Sequence, residues 1–130
     1  MVMLDADSFA LWEKGEFDLP RWLEARGDEP VAISAVVWEQ LWFAAEKWQP
    51  ERSAKRRAKL QAIYPAVRII PFDVAQAREA ARLDARLKTA GQPIGWPDTL
   101  IAAAALVCQA ELLTFNRAEF DQAGVPLARI

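Results

Sequence analysis

A chain of 130 residues, 53% of them apolar, suffices for one domain with a buried core, and a 26% charged fraction excludes a disordered or fibrous composition. A net charge of −2 argues against a protein that coats nucleic acid with a broad basic face. One cysteine, Cys108, and no histidine exclude an internal disulfide, a cysteine-based zinc site and imidazole chemistry, which leaves carboxylates, hydroxyls and cations.

The opening residues MVMLDA carry no basic segment ahead of an apolar one, so no secretory signal is indicated and a cytoplasmic address is expected. No apolar run approaches bilayer length, and the protein is expected to be soluble, with no membrane partner. Residues 1–4 form the first run of strand length. Helical spacing follows over 8–14, with Asp7 as N-cap, and over 20–26, with Pro20 in the first turn. A second strand is expected at 31–33, then helices over 36–48 and 51–64. The later of these carries the densest cationic run, Arg52, Lys55, Arg56, Arg57 and Lys59, read as a solvated helix face in preference to a substrate-contacting patch. A strand at 67–70 precedes a helix over 74–88, which Asp73 can cap and which ends with Lys88 near its negative end and Gly91 just beyond. Turn signals at 90–93 and 95–97 separate this from an alanine-rich helix over 97–109, opened by Pro97. A strand at 112–114 and a fifth candidate at 127–130 close the chain.

No repeat or linker interrupts this order, so one domain covering 1–130 is expected. Strands alternating with helices predict an α/β, three-layer fold: a central, mostly parallel sheet of four or five strands with helices on both faces. Ligands of such sheets gather beyond the carboxyl ends of the strands. The polar residues there are acids. Asp5 directly follows the first strand, Glu39 lies about a turn into the helix after the second, and Asp98 sits in the first turn of the alanine-rich helix, where the helix dipole favours an anion. Singly, each has an ordinary explanation as a turn acid, an exposed helical charge or a first-turn acid. Gathered at one sheet edge, carboxylates about 6 Å apart would repel by roughly 3 kcal/mol per pair at an effective dielectric near 20. Such a group needs a cation, and with oxygen ligands alone Mg²⁺ or Mn²⁺ is the natural choice. An oxygen-ligated divalent metal suits phosphodiester hydrolysis.

Three segments resemble the PIN-domain nucleases, and within them VapC-like toxins. MLDADSFALWEKG is similar to the family's opening, a hydrophobic strand and then Asp, any residue and Asn, with Asp7 at the usual Asn. ISAVVWEQLWFAAEK resembles the middle motif, a strand leading to a helix that carries a Glu. PIGWPDTLIAAAALVCQAELLTFNRAEF is the most specific match, an Asp opening an Ala-rich helix and a strand ending in Thr-x-Asn before a Phe. The resemblance implies a metal-dependent endoribonuclease that hydrolyses RNA, with Asp5, Glu39 and Asp98 as metal ligands. It places Asn116 at the fourth site position, where the family often has an acid, with Glu119 nearby as a substitute; Thr114 and Asn116 can equally cap the short helix beginning near Arg117. It further implies a homodimer and a cognate antitoxin whose apolar segment lies along the helical surface. Trp12, Trp22, Trp38, Trp42, Trp48 and Trp96 are many for this length; core packing is the default for Trp38 and Trp42, spaced i, i+4, while some of the rings and Phe43 would belong to partner surfaces.

Two other functions compete. Asp5-Ala6-Asp7-Ser8 also resembles the Asp-x-Asp-x-Thr start of haloacid-dehalogenase phosphatases, in which the first Asp is the nucleophile, but no convincing late lysine accompanies it. A PIN-like fold kept only as a protein-binding module is the non-enzymatic alternative; loss of a core acid would mark it, and none is lost.

Overall fold

Each strand is followed by helix before the next begins, which supplies the long crossover that parallel pairing requires. The computed structural model describes residues 1–47 and 50–130. In chain order these form β1 (Val2–Leu4), α1 (Ala6–Glu13), α2 (Leu19–Ala25), β2 (Val31–Ser34), α3 (Ala35–Glu46), α4 (Pro50–Ile63), β3 (Arg68–Ile70), α5 (Val74–Thr89), α6 (Trp96–Val107), β4 (Glu111–Leu113) and α7 (Arg117–Gln122). The strands lie side by side as β3-β2-β1-β4, all parallel.

This order has a chemical consequence. The chain winds outward from β1 through β2 to β3, then returns to place β4 on the other side of β1. With right-handed crossovers the winding reverses there, which covers both faces of the sheet with helices and opens a crevice between β1 and β4 at their carboxyl ends. The inner strands β1 and β2 are correspondingly apolar on both faces, with Val2, Met3, Ala32 and Ile33 fully buried; of the edge strands, β4 buries Leu112 and Leu113 whereas β3 is partly exposed. Helix α6 is buried from Ile101 to Ala105 and packs against α5 and α3; its alanines let these helices approach closely. No helix among the described residues is long and apolar enough to cross a membrane.

Most boundaries fall within two residues of those expected, and Asp73 caps α5 as predicted, accepting from the Gln76 N–H at 2.9 Å. Pro20 and Pro97 occupy first-turn positions, and Gly91 follows α5 at a φ of +70°, a left-handed conformation that glycine adopts without strain. Two expectations change. Residues 127–130 do not form a fifth strand: Leu127 makes only an isolated parallel bridge to Leu112. The first helix is capped by Asp5 rather than Asp7, because Asp5 is extended (φ −82°, ψ 158°) and its Oδ1 accepts from the Ala6 N–H at 2.8 Å. Asp7 is thereby carried into the first turn and its carboxylate is used elsewhere. The helix expected to end at Trp48 is described as Ala35–Glu46; Trp48 lies outside the described residues. Trp38 and Trp42 do stack edge to face, 5.8 Å apart, half-buried against the core, and Tyr64 lies against Trp38.

Candidate active site

Sheet register brings the first acid into place. Val2, Met3 and Leu4 pair with Glu111, Leu112 and Leu113, and the Asp5 N–H continues the ladder to the Leu113 carbonyl at 2.9 Å. The next level therefore sets Asp5 beside Thr114. The Thr114 hydroxyl donates to Asp5 Oδ2 at 2.7 Å and accepts from the Asn116 N–H at 3.1 Å. Asp7 Oδ2, 3.3 Å from the same hydroxyl, accepts instead from the Phe115 N–H at 2.9 Å. Ser8, fully buried, donates to the Asp5 carbonyl and fixes the strand-to-helix turn.

Asp98 arrives from the first turn of α6. Its Oδ2 accepts from the Asn116 side-chain amide at 3.0 Å, and the second hydrogen of that amide goes to Glu119 Oε2 at 2.9 Å. Asn116 thus stands at the N-cap position of α7 without capping it through its side chain; the amide serves two carboxylates instead. Sequence reasoning placed Asn116 and Glu119 near the site but missed that one links Asp98 to the other. It also missed the Asp7 bond to the loop after β4, which no local pattern announces.

The electrostatics are those of crowded acids. Asp5 is only 6% exposed, and burial, then the neighbouring Asp7 charge, push its carboxyl up to about 6 against the opposing bonds from Thr114 and Ala6. Asp98 is pushed up to about 7, first by burial, then by sharing a hydrogen bond with Glu119 and by the charges of Asp5 and Glu119, while Asn116 opposes the rise. Burial also raises Asp7. Asp7 Oδ1 is buried with no hydrogen-bond partner among the described residues.

Glu39 is placed differently. It projects from the exposed side of α3 and, among the described residues, makes no side-chain hydrogen bond or ion pair. Hydrogen bonds and neighbouring charges link Asp5, Asp7, Asp98, Asn116 and Glu119, and among the described residues no hydrogen bond or ion pair ties the exposed Glu39 to them. Among the described residues no three acidic side chains converge closely enough to grip an ion on their own. The donor chemistry still fits a hard divalent cation: every candidate ligand is oxygen, Asp7 leaves one buried oxygen unsatisfied, and burial together with neighbouring acids raises the carboxyls of Asp5 and Asp98, a crowding that a cation would relieve.

The sequence matches the PIN domain family over residues 2–126. It is 30% identical to the VapC ribonuclease Y4jK of Sinorhizobium fredii, an alignment that spans 98% of this chain and 95% of the relative. In three dimensions it resembles FitAcB from Neisseria gonorrhoeae (TM-score 0.89, 25% identity, 99% of this chain and 97% of that one). It is also similar to VapBC2 from Rickettsia felis bound to a DNA fragment from their promoter (TM-score 0.87, 24% identity, 98% of each chain).

Proposed function

This chain belongs to the PIN domain family, and from that footing we propose that it is the endoribonuclease toxin of a toxin–antitoxin pair, cutting RNA phosphodiester bonds with a divalent metal. The observation that carries the chemistry is the Asp5–Thr114 and Asp98–Asn116–Glu119 cluster at the crevice between β1 and β4, in a chain that aligns end to end with a VapC ribonuclease.

Asp5 and Asp98 would hold Mg²⁺ or Mn²⁺, with Glu39 reaching in from α3 as third ligand. Such an ion, when bound, would supply an activated water and offset charge that grows on the phosphate. The chain's own groups prepare for this. Thr114 hydrogen-bonds the ionised form of Asp5 and aims its carboxylate. Asn116 fixes the orientation of Asp98 without adding charge, and its second amide hydrogen ties Glu119 to the same group. Burial of Asp5 keeps the local dielectric low, which strengthens its grip on a cation.

An antitoxin partner agrees with the surface of α3 and α4. Phe43 and Tyr64 are 60% and 61% exposed beside the half-buried Trp38–Trp42 pair, an aromatic group of the kind that interfaces favour. A homodimer is proposed on family likeness. The deciding experiment incubates the purified protein with a panel of RNAs in Mn²⁺ and in EDTA, alone and with the product of the neighbouring small gene. Metal-dependent cleavage that the neighbour suppresses is expected; no cleavage of any RNA in either metal would overturn the proposal.

A further inference from the structure

The cationic run of α4 does not face open solvent as one group. Arg57 turns to α3 and pairs with Glu46, whereas Arg52, Lys55, Arg56 and Lys59 line one side of an open cleft of about 310 Å³ whose other side is Glu13 of α1. Positions 52, 55, 56 and 59 follow i, i+3, i+4 and i+7 spacing, a stripe that an ordinary surface helix gives to apolar residues facing the core. Arg56 is nearly buried and pairs with Glu13; Arg52, Lys55 and Lys59 are exposed. Lys55 and Lys59, an i, i+4 pair of like charge, repel, and the one carboxylate of the lining, Glu13, is paired with Arg56. A cleft with a surplus of one sign concentrates counter-ions of the other.

Aromatic rings connect this cleft to the acids. The Lys59 ammonium lies 5.1 Å from the Trp12 ring, and Trp12 and Phe17 line the neighbouring hollow. Phe17 packs edge to face on Phe115 at 5.0 Å, and the Phe115 N–H bonds Asp7 beside Asp5. From Asp5, which caps α1, to Glu13 at its end is eight residues, or about 12 Å of helix rise. A row of cations and rings running away from a phosphodiester-cleaving site is the pattern that holds a single strand through its phosphates and bases.

We infer that the α1–α4 cleft, with Lys55 and Lys59 as its principal contacts, binds backbone phosphates of single-stranded RNA flanking the scissile bond and so leads the substrate across Trp12 to the acid pocket. The inference rests on the endoribonuclease reading, and its test separates the two. Binding of a fluorescein-labelled 12-nucleotide single-stranded RNA is followed by anisotropy in EDTA, where no cleavage occurs, across a salt series, for the wild type and for Lys55→Ala/Lys59→Ala. Both lysines are exposed, so the double variant is expected to fold. The expected result is a five- to twentyfold weaker Kd with a shallower salt slope in the double variant, a raised KM with kcat retained in Mn²⁺, and similar affinity of both proteins for a dinucleotide too short to reach the cleft. Equal Kd and salt slope for the two proteins would overturn the inference. So would unchanged RNA affinity with loss of the antitoxin from co-purified material, which would assign the cleft to an acidic protein segment. A wild type that binds the RNA through these lysines but cleaves nothing would overturn the endoribonuclease reading alone.

Discussion

Thr114, one residue past the end of β4, donates its hydroxyl hydrogen at 2.7 Å to Asp5, one residue past the end of β1. The bond favours the ionised carboxylate where burial favours the neutral acid. Thr114→Val removes the donor and keeps the shape, so the Asp5 carboxyl rises further and binds metal less well. Cleavage near pH 7 should fall about tenfold and recover partly at higher pH, with Thr114→Ser restoring it. A pH–rate profile checks this; superimposable profiles for Thr114→Val and the wild type would remove Thr114 from any positioning role.

Asp5→Asn and Asp98→Asn should each abolish cleavage while the fold persists, because each removes a proposed metal ligand. Each change also relieves the crowding that raises these carboxyls, so metal-free stability should hold level or rise. Urea titration in EDTA together with a cleavage assay decides it. Near wild-type cleavage by either variant removes that residue from the site.

Stability of the metal-free protein should fall as pH rises. Asp5 and Asp98 titrate near 6 and 7 in the folded chain against 3.8 for an unperturbed aspartate, so the native state holds protons that the unfolded chain has released. Their contribution is complete below about pH 4 and lost as pH passes through 6 to 7. The loss is about 3 kcal/mol for Asp5, and Asp98 adds a further part that its partial exposure reduces. Asp98→Asn should flatten the curve, and millimolar Mn²⁺ should reverse its upper end. Metal-free denaturation at pH 5 and pH 8 tests the sign; greater stability at pH 8 would contradict it.

Glu39 carries the sharpest question about the site, since it is exposed and unpaired in the arrangement seen here. If it swings in as third ligand, Mn²⁺ should raise the wild-type Tm by mass action and raise that of Glu39→Gln much less. Equal shifts would make Glu39 an ordinary surface acid and leave ligation to Asp5, Asp98 and Asp7 or Glu119.

The phosphatase alternative predicts a phospho-aspartyl intermediate on Asp5, and the nuclease does not. After β4, where that chemistry needs a lysine, stands Arg117. Its guanidinium is spent on the carbonyls of Thr114 and Ala128. Mass spectrometry during incubation with a phosphoryl donor should find Asp5 unmodified.

What could be foreseen followed from periodicity and from position at strand ends. Asp5 and Asp98 were legible because an acid directly after an apolar run, or just after a proline that opens an alanine-rich helix, lands at the sheet's carboxyl edge whatever the details. The partners of those acids were less so, because they depend on register: a slip of one residue between β1 and β4 would put Leu113 or Phe115 beside Asp5 instead of Thr114. Asp7 was misread as a cap because the helix begins two residues earlier than its apolar spacing suggests, and its true partner lies 108 residues away. Of the α4 cations, Arg52, Lys55, Arg57 and Lys59 are exposed, as a solvated face would be; what the sequence conceals is Glu13, which faces them across a cleft from another helix and pairs with the buried Arg56.

The distance in sequence between Asp5 and Thr114, 109 residues, also sets an order of events in synthesis. β1 leaves the ribosome before β2 and can pair with it early. Its other neighbour, β4, emerges only after all of α3 to α6. Until then Asp5 lacks Thr114, and Asp98 lacks Asn116 and Glu119. A half-made chain therefore carries the acids without the pocket, and closing that long loop is expected to be a late step of folding.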